Sequence, residues 1–354
     1  MQLKKNKRNS YIELERFLAC LGILLYHAGI MKTGWIFVEF FFLLTGYFAM
    51  RHFSAKREAG DFSGKGHTWY PLSYTFGKFK TVFPYTTISI LLVWLIELVR
   101  WRLTGMGLIK WLLYLPTNLL LLSGFGVQAY GFEIQDGITA PRMLNPHLWY
   151  VCCMLTVLIL VAFFLMYMKK SRVLVCFLLP LLCYGALILA DGTLDGWHDS
   201  FLGIFACDLR ALGGILLGCF GWHAAEWLGR KKLGSGIRIL LAAAEILSFV
   251  FVFALSWVSD TPSDMLKILL LFVSVTISMS GQTWTSGCDL GLFRFLGKLS
   301  LPVYCIQYAV IIALDGHFVS HYSLIVFAVS ILGGLVCLLA VEGGKKLIRS
   351  VSAR

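Results

Sequence analysis

A chain of 354 residues that is 58% hydrophobic and only 14% charged, with a mean hydropathy of +0.77, is not a soluble globule, which is about half apolar and a quarter charged. The net charge of +12 would suit a nucleic-acid binder. Its basic residues, however, sit in short loops and tails between apolar runs, the pattern of a polytopic membrane protein under the positive-inside rule, so no nucleic-acid partner is expected. The ten cysteines are scattered through apolar runs without zinc or redox spacing (Cys152-Cys153 is a vicinal pair); they read as small hydrophobes, and no metal is expected.

Residues 1–10 form a basic tail (Lys4, Lys5, Lys7, Arg8). It resembles the n-region of a signal peptide, but Arg16 interrupts the apolar run and no small-residue cleavage site follows Ile30, so the first helix reads as a retained span. Residues 11–53 read as two spans joined by a tight turn around residues 31–34, each near the ~20 residues that cross a bilayer. Residues 54–80 read as a polar loop whose TWYPLSYTFGKFK stretch sits at headgroup level. A third span covers 81–101. The apolar stretch 107–123, with Pro116 and Asn118, is ambiguous, and a polar loop at 124–146 follows. Further spans are expected at 147–168, 172–190, 203–226, 237–258, 264–284, 300–317 and 321–343, before a second basic tail at 344–354.

Charge decides between ten spans and eleven. With the N-terminal tail inside and 107–123 not crossing, the inner side holds the tail, the 51–80 loop and the clusters Lys169-Lys170-Arg172, Arg230-Lys231-Lys232-Arg238, Arg294/Lys298 and Lys345-Lys346-Arg349-Arg354, which is 23 of the 31 Lys and Arg. The loops with Asp191, Asp195, Asp199, Asp260 and Asp264 fall outside. A crossing at 107–123 would invert every later loop and reverse the bias. The expected fold is therefore an all-α polytopic membrane protein with about ten transmembrane helices and both termini cytoplasmic. It has a re-entrant or interfacial segment near 107–123 and forms a single domain over 1–354.

Ionisable groups inside such spans are costly and are functional candidates. Arg16 and His27 are eleven residues apart, close to three full turns, and share one face of the first helix ~16 Å apart along its axis. Glu39 is about as far after the turn as His27 is before it, so the two reach a similar depth. His27 suits a general base or acid, or a structural histidine at a helix end. Arg16 suits a phosphate or a carbonyl, or it snorkels to the headgroups. Arg51 and Lys80 suit a polyanion or lipid headgroups. Thr45-Gly46 permits close approach of a ligand or of another helix. Asp208 and Arg210, two apart, do not face each other, so each needs a partner on another helix. Glu97 and Glu245 are further intramembrane carboxylates. His147-Leu148-Trp149-Tyr150 and Ser300-Leu301-Pro302-Val303-Tyr304-Cys305-Ile306-Gln307, the latter with proline near a helix start, offer acceptor contacts or interior packing. No phosphate-binding loop, dinucleotide fingerprint, HExxH or GxSxG is present.

Arg16, ten residues, His27, and then Val38-Glu39-Phe40-Phe41-Phe42-Leu43-Leu44-Thr45-Gly46-Tyr47 together resemble the acyltransferase-3 family. Its pattern has Arg-x10-His in the first helix and a Val-Asp-x-Phe-Phe-x-x-Ser-Gly-Phe-like run in the second. Lys80-x3-Pro84, His147-Leu148-Trp149-Tyr150 and Ser300-x3-Tyr304 resemble later landmarks in the same order. Glu39, Thr45 and Tyr47 stand where Asp, Ser and Phe are commoner, and Gln307 stands where the family often has His. The resemblance implies a membrane O-acyltransferase of the bacterial cytoplasmic membrane, with membrane lipid around it. It would move an acyl group, acetyl being expected, from acyl-CoA to a hydroxyl of a cell-envelope glycan or lipid-linked sugar. It further implies no bound cofactor, acyl-CoA being a substrate. No esterase-like domain is appended, so a second transfer would need a separate extracytoplasmic partner. In this reading His27 is general base or acyl carrier, Glu39 orients it and Arg16 stabilises the donor's carbonyl or phosphates. Arg51, Lys80, Thr45 and Gly46 hold the donor, and His147, Trp149, Tyr304 and Gln307 meet the acceptor. A second reading is a transporter or flippase with His27, Glu39, Asp208 and Arg210 along its path.

Overall fold

The computed structural model describes residues 9–62, 68–127, 131–168, 172–196, 200–201, 203–315 and 322–352. Lys4, Lys5, Lys7, Arg8, Lys65, Lys169, Lys170, Asp199 and Arg354 lie outside the described residues. Eleven α-helices are found among the described residues: α1 Tyr11–His27, α2 Phe37–Glu58, α3 Tyr70–Arg100, α4 Gly105–Leu119, α5 Trp149–Tyr167, α6 Arg172–Asp191, α7 Ala206–Gly229, α8 Ser235–Leu255, α9 Thr261–Met279, α10 Gly291–Leu314 and α11 Tyr322–Ser352. Eight of the segments are long and apolar enough to cross a membrane. The two further spans that the sequence suggests fall outside that set for clear reasons. The helix α1 has 17 residues, and α7 carries Asp208, Arg210 and Glu226. The chain is an all-α polytopic membrane protein.

The ambiguous stretch is α4, whose 15 residues reach ~22 Å at ~1.5 Å per residue, short of a hydrocarbon core of ~30 Å. It buries Gly107, Trp111 and Tyr114 on one face and exposes Met106, Ile109, Leu112 and Leu113. Reciprocal bonds between Trp94 and Trp111, each indole N–H donating to the other's carbonyl at 3.0 and 3.2 Å, fasten it to α3. The polar stretch after it contains a small hairpin, β1 Glu133–Gln135 with β2 Ile138–Thr139. Its Asp136-Gly137 turn has positive φ at both residues (47° and 80°), the mirror-image turn that matches strand twist.

Four helices outrun their expected ends. The 54–80 loop is mostly helical, because α2 continues to Glu58 and α3 starts at Tyr70. The C-terminal basic tail continues α11 as far as Ser352. The helix α10 starts at Gly291, so Pro302 lies in its interior rather than near its start. These flanks are polar enough to leave the bilayer yet contain good helix formers, and hydropathy marks the membrane exit rather than the helix end.

The helices cluster into two compact units, one of Met1–Thr75 with Val157–Lys298 and one of Phe76–Thr156 with Leu299–Arg354. In the first, α2 lies against α7, α6 against α7 and α8 against α9. The α2–α7 contact is made by backbone. A Cβ on Gly46 would stand 1.7 Å from the Ile215 carbonyl oxygen, one on Gly218 2.1 Å from that of Leu43, and one on Gly214 2.6 Å from Cβ of Phe42. Small residues are how membrane helices approach this closely. In the second unit α10 and α11 use the same device, since a Cβ on Gly334 would meet Val303 at 2.5 Å.

Gly218→Leu is expected to force α2 and α7 apart, because the obstacle is backbone. The loss is ~1–3 kcal/mol or more, read as a lower unfolding midpoint in detergent. Gly236→Ala, where a Cβ meets nothing within 4 Å, is expected to leave the midpoint unchanged.

Candidate active site

The site is built on the α1–α2 hairpin of the first unit. His27 is the last residue of α1, half-buried, with its ring 5.0 Å from that of Tyr26. Glu39 lies in the first turn of α2 and is buried. Both are at the turn end of the hairpin, as their spacing from the turn requires. That turn is fixed from outside. Thr33 donates through its backbone N–H to the Ser256 carbonyl at 3.0 Å. The buried Lys267 donates to Thr33 Oγ1 (2.9 Å), to the Val258 carbonyl (2.8 Å) and to Asp264 (2.8 Å). A buried ammonium is costly unless it is hydrogen-bonded, and here its bonds hold the loop that follows His27.

The structure gives Glu39 two partners from outside the hairpin. Arg210 Nε of α7 donates to Oε1 at 3.0 Å and the Tyr184 hydroxyl of α6 donates to Oε2 at 2.7 Å. Arg210 and Glu39 are each 1% exposed. The guanidinium also lies 4.6 Å over the Trp35 ring and reaches the Gly196 carbonyl at 3.3 Å. Asp195, in the loop after α6, is held above the usual carboxylate range by burial, with Arg210 drawing it back down. The carboxylate expected to orient His27 is thus locked into a three-helix network. Arg210 has the partner on another helix that its spacing from Asp208 demanded. Tyr184 carried no signal in the sequence. Arg210 did, as an intramembrane cation lacking an assigned counter-charge while a buried Glu39 needed one.

The other expected donor residues of this unit are dispersed along it. Arg16, on α1, donates to Glu13 at 2.8 Å and is a third exposed. Thr45 donates to the Phe41 carbonyl one turn back, at 2.8 Å. Gly46 is spent on the contact with α7, which occupies the space a ligand would need. Arg51 is exposed on α2. Glu245 accepts from Thr285 through both oxygens, at 2.8 and 2.7 Å, and Glu15 accepts from Ser274 at 2.8 Å.

The expected acceptor residues fall in the second unit, where the structure joins two of them, His147 and Tyr304. The Tyr304 hydroxyl donates to the His147 carbonyl, and the His147 ring lies 4.9 Å from that of Tyr308. Trp149 opens α5. Gln307 is fully buried, and neither side-chain polar atom has a hydrogen-bond partner among the described residues. Asn145, which sequence reasoning passed over, organises the cluster. It accepts from His147 N–H at 3.0 Å and donates to Ser89 at 2.7 Å and to the Cys305 carbonyl at 3.1 Å. Lys80 is exposed in this unit, its ammonium 4.7 Å over the Phe76 ring.

Removing one member of the buried ion pair should expose the cost of the other. Arg210→Met is expected to destabilise by ~3–5 kcal/mol through the stranded carboxylate, and adding Glu39→Leu should restore most of that loss. Unfolding midpoints of the two single variants and the double variant check it.

No curated protein and no solved structure matches the chain. A family model described as an acyltransferase domain matches residues 9–342 and so contains every residue placed above. The chain belongs to the acyltransferase-3 family and is a multi-pass membrane acyltransferase.

Proposed function

We propose that the protein is an O-acyltransferase of the bacterial cytoplasmic membrane that moves an acyl group, acetyl in the simplest case, from acyl-CoA to a hydroxyl of a cell-envelope glycan or lipid-linked sugar. The observation that carries this reading is the placement of Arg16 and His27 on one face of one helix, ~16 Å apart along its axis. That separation is too long for both to act on one carbonyl. It is comparable to the extended pantetheine arm of a coenzyme A ester, with phosphates at one end and the thioester at the other. Arg16 is then assigned to the phosphates and His27 to the reacting end.

In this mechanism His27 removes the proton of the acceptor hydroxyl as its oxygen attacks the thioester carbonyl. The C–S bond breaks, and the proton passes to the departing thiolate. Glu39, held by Arg210 and Tyr184, fixes the start of α2 at the turn beside which His27 works. Arg51 and Lys80 add positive charge for the donor, and His147, Trp149, Tyr304 and Gln307 supply the acceptor surface. Both termini lie on the cytoplasmic side, with Arg16 toward the donor's compartment. A separate extracytoplasmic protein completes the transfer where the final acceptor is distant.

His27→Ala, expressed and inserted at normal levels, is expected to lower transfer of labelled acetyl from acetyl-CoA by about 10²–10⁴-fold, the usual contribution of a positioned general base. The assay uses purified protein in detergent, where no gradient exists. Transfer retained at the normal rate would remove His27 from the chemistry.

A further inference from the structure

A second charged site lies in the first unit at the far ends of α2 and α7. A cavity of about 440 Å³ is lined by Arg57, Arg172, Arg230 and Lys231, against the two carboxylates Glu58 and Glu226, together with Trp222, His223 and Trp227. Glu39 and Arg57 are eighteen residues apart on one straight helix, so the cavity is ~27 Å from the ion pair. It is therefore a different place from the one holding His27 and Glu39.

Three features make it more than a solvated basic end. Arg57 is anchored, donating through Nη2 to the carbonyls of Leu165 and Met166 at 2.6 and 3.0 Å. Its Nη1, Nη1 of Arg172 and Nε2 of His223 are buried without a hydrogen-bond partner among the described residues. Arg172 is close enough to both Arg57 and His223 for its charge to act on them. Two neighbouring guanidinium groups with incomplete bonding carry a desolvation cost that the protein leaves uncompensated, and an anion in the cavity would compensate it. The rim adds Lys231, its ammonium 4.5 Å over the Trp227 ring, and Arg230, 3.9 Å from Glu226.

We propose that this cavity binds a phosphate ester. Planar arginine forks match phosphate oxygens, the volume exceeds what a lone carboxylate fills, and the two indoles offer faces to whatever the phosphate is attached to. Two sources carry this chemistry, the headgroup of an anionic phospholipid and the phosphates of a coenzyme A donor. Only the second rests on the acyl-CoA reading above, and it would put the donor's phosphates here in place of Arg16.

The test reads binding rather than transfer. Protein in phosphatidylcholine nanodiscs is titrated with coenzyme A bearing no acyl group, and native mass spectrometry measures phosphatidylglycerol retained after delipidation. Arg172→Gln is expected to weaken one of the two about tenfold, the effect of one charge-assisted bond at ~1.4 kcal/mol. A response of coenzyme A assigns the site to the donor, and a response of phosphatidylglycerol assigns it to lipid. Arg230→Gln alters a side chain that is 80% exposed; it leaves the core intact and is expected to weaken the same probe about two- to threefold, as removal of a rim charge does. Wild-type protein that binds neither probe, or variants that hold both as tightly as wild type, would overturn the proposal. The readout is binding and not transfer, so a failure of the catalytic assignment of His27 leaves this result standing.

Discussion

The backbone contact between α2 and α7 is the constraint on which the first unit depends. Membrane helices gain little from burying apolar surface against each other, since lipid is equally apolar, and close association needs small residues that let backbones touch. Gly46 on α2 faces the Ile215 carbonyl, and Gly214 and Gly218 on α7 face Phe42 and Leu43. This seam sets the register of the two helices, and the register brings Glu39 within 3.0 Å of Arg210. A side chain at any of the three positions would break the seam, and the ion pair would lose its geometry with it. The chemistry of the site thus rests on residues that have no side chain.

The ion pair in turn explains why the hairpin end is so heavily braced. Two charges that are each 1% exposed are tolerable only with near-complete hydrogen bonding. Tyr184 and the Gly196 carbonyl supply hydrogen bonds to Glu39 and Arg210, and the Trp35 ring lies 4.6 Å from the guanidinium. Lys267, with Asp264, Thr33 and Val258, is a second buried pair that holds the loop after α1. Each pair is costly on its own account. Their shared effect is a turn that cannot drift, and His27 sits at its edge on the last turn of α1. The general-base role proposed for His27, at a helix end, would need such bracing, because helix ends fray.

Much of this was legible in the sequence, in proportion to how local the cause is. The spans follow from apolar runs, and α4 was separable from them because a crossing there would reverse the charge bias. Helix ends were less legible: α2, α3, α10 and α11 run on through residues that hydropathy reads as loop. Arg16, His27 and Glu39 stand out because they are ionisable groups in one short hairpin. The partner of Glu39 lies 171 positions away, and no periodicity links the two. A sign was nonetheless present, since Gly214-x3-Gly218 marks α7 as a helix meant for close contact, and Arg210 stands one turn before it. Asn145 gave no such sign, because its role depends on Ser89 and Cys305, which only folding brings near.

The closed seam also constrains where a substrate can travel. A methyl group has no space at Gly46, so an acyl chain or a pantetheine arm cannot pass between α2 and α7. The same two helices carry the buried ion pair at one end and the arginine-lined cavity at the other, ~27 Å apart, and they cannot part in the middle without breaking backbone contact. The donor proposed above would therefore be confined to a flank of the pair. The flank on which α1 packs is the one that presents Arg16 and His27 along a single face. The glycine seam consequently does two things at once: it holds Glu39 to Arg210, and it closes the space between α2 and α7 to any ligand.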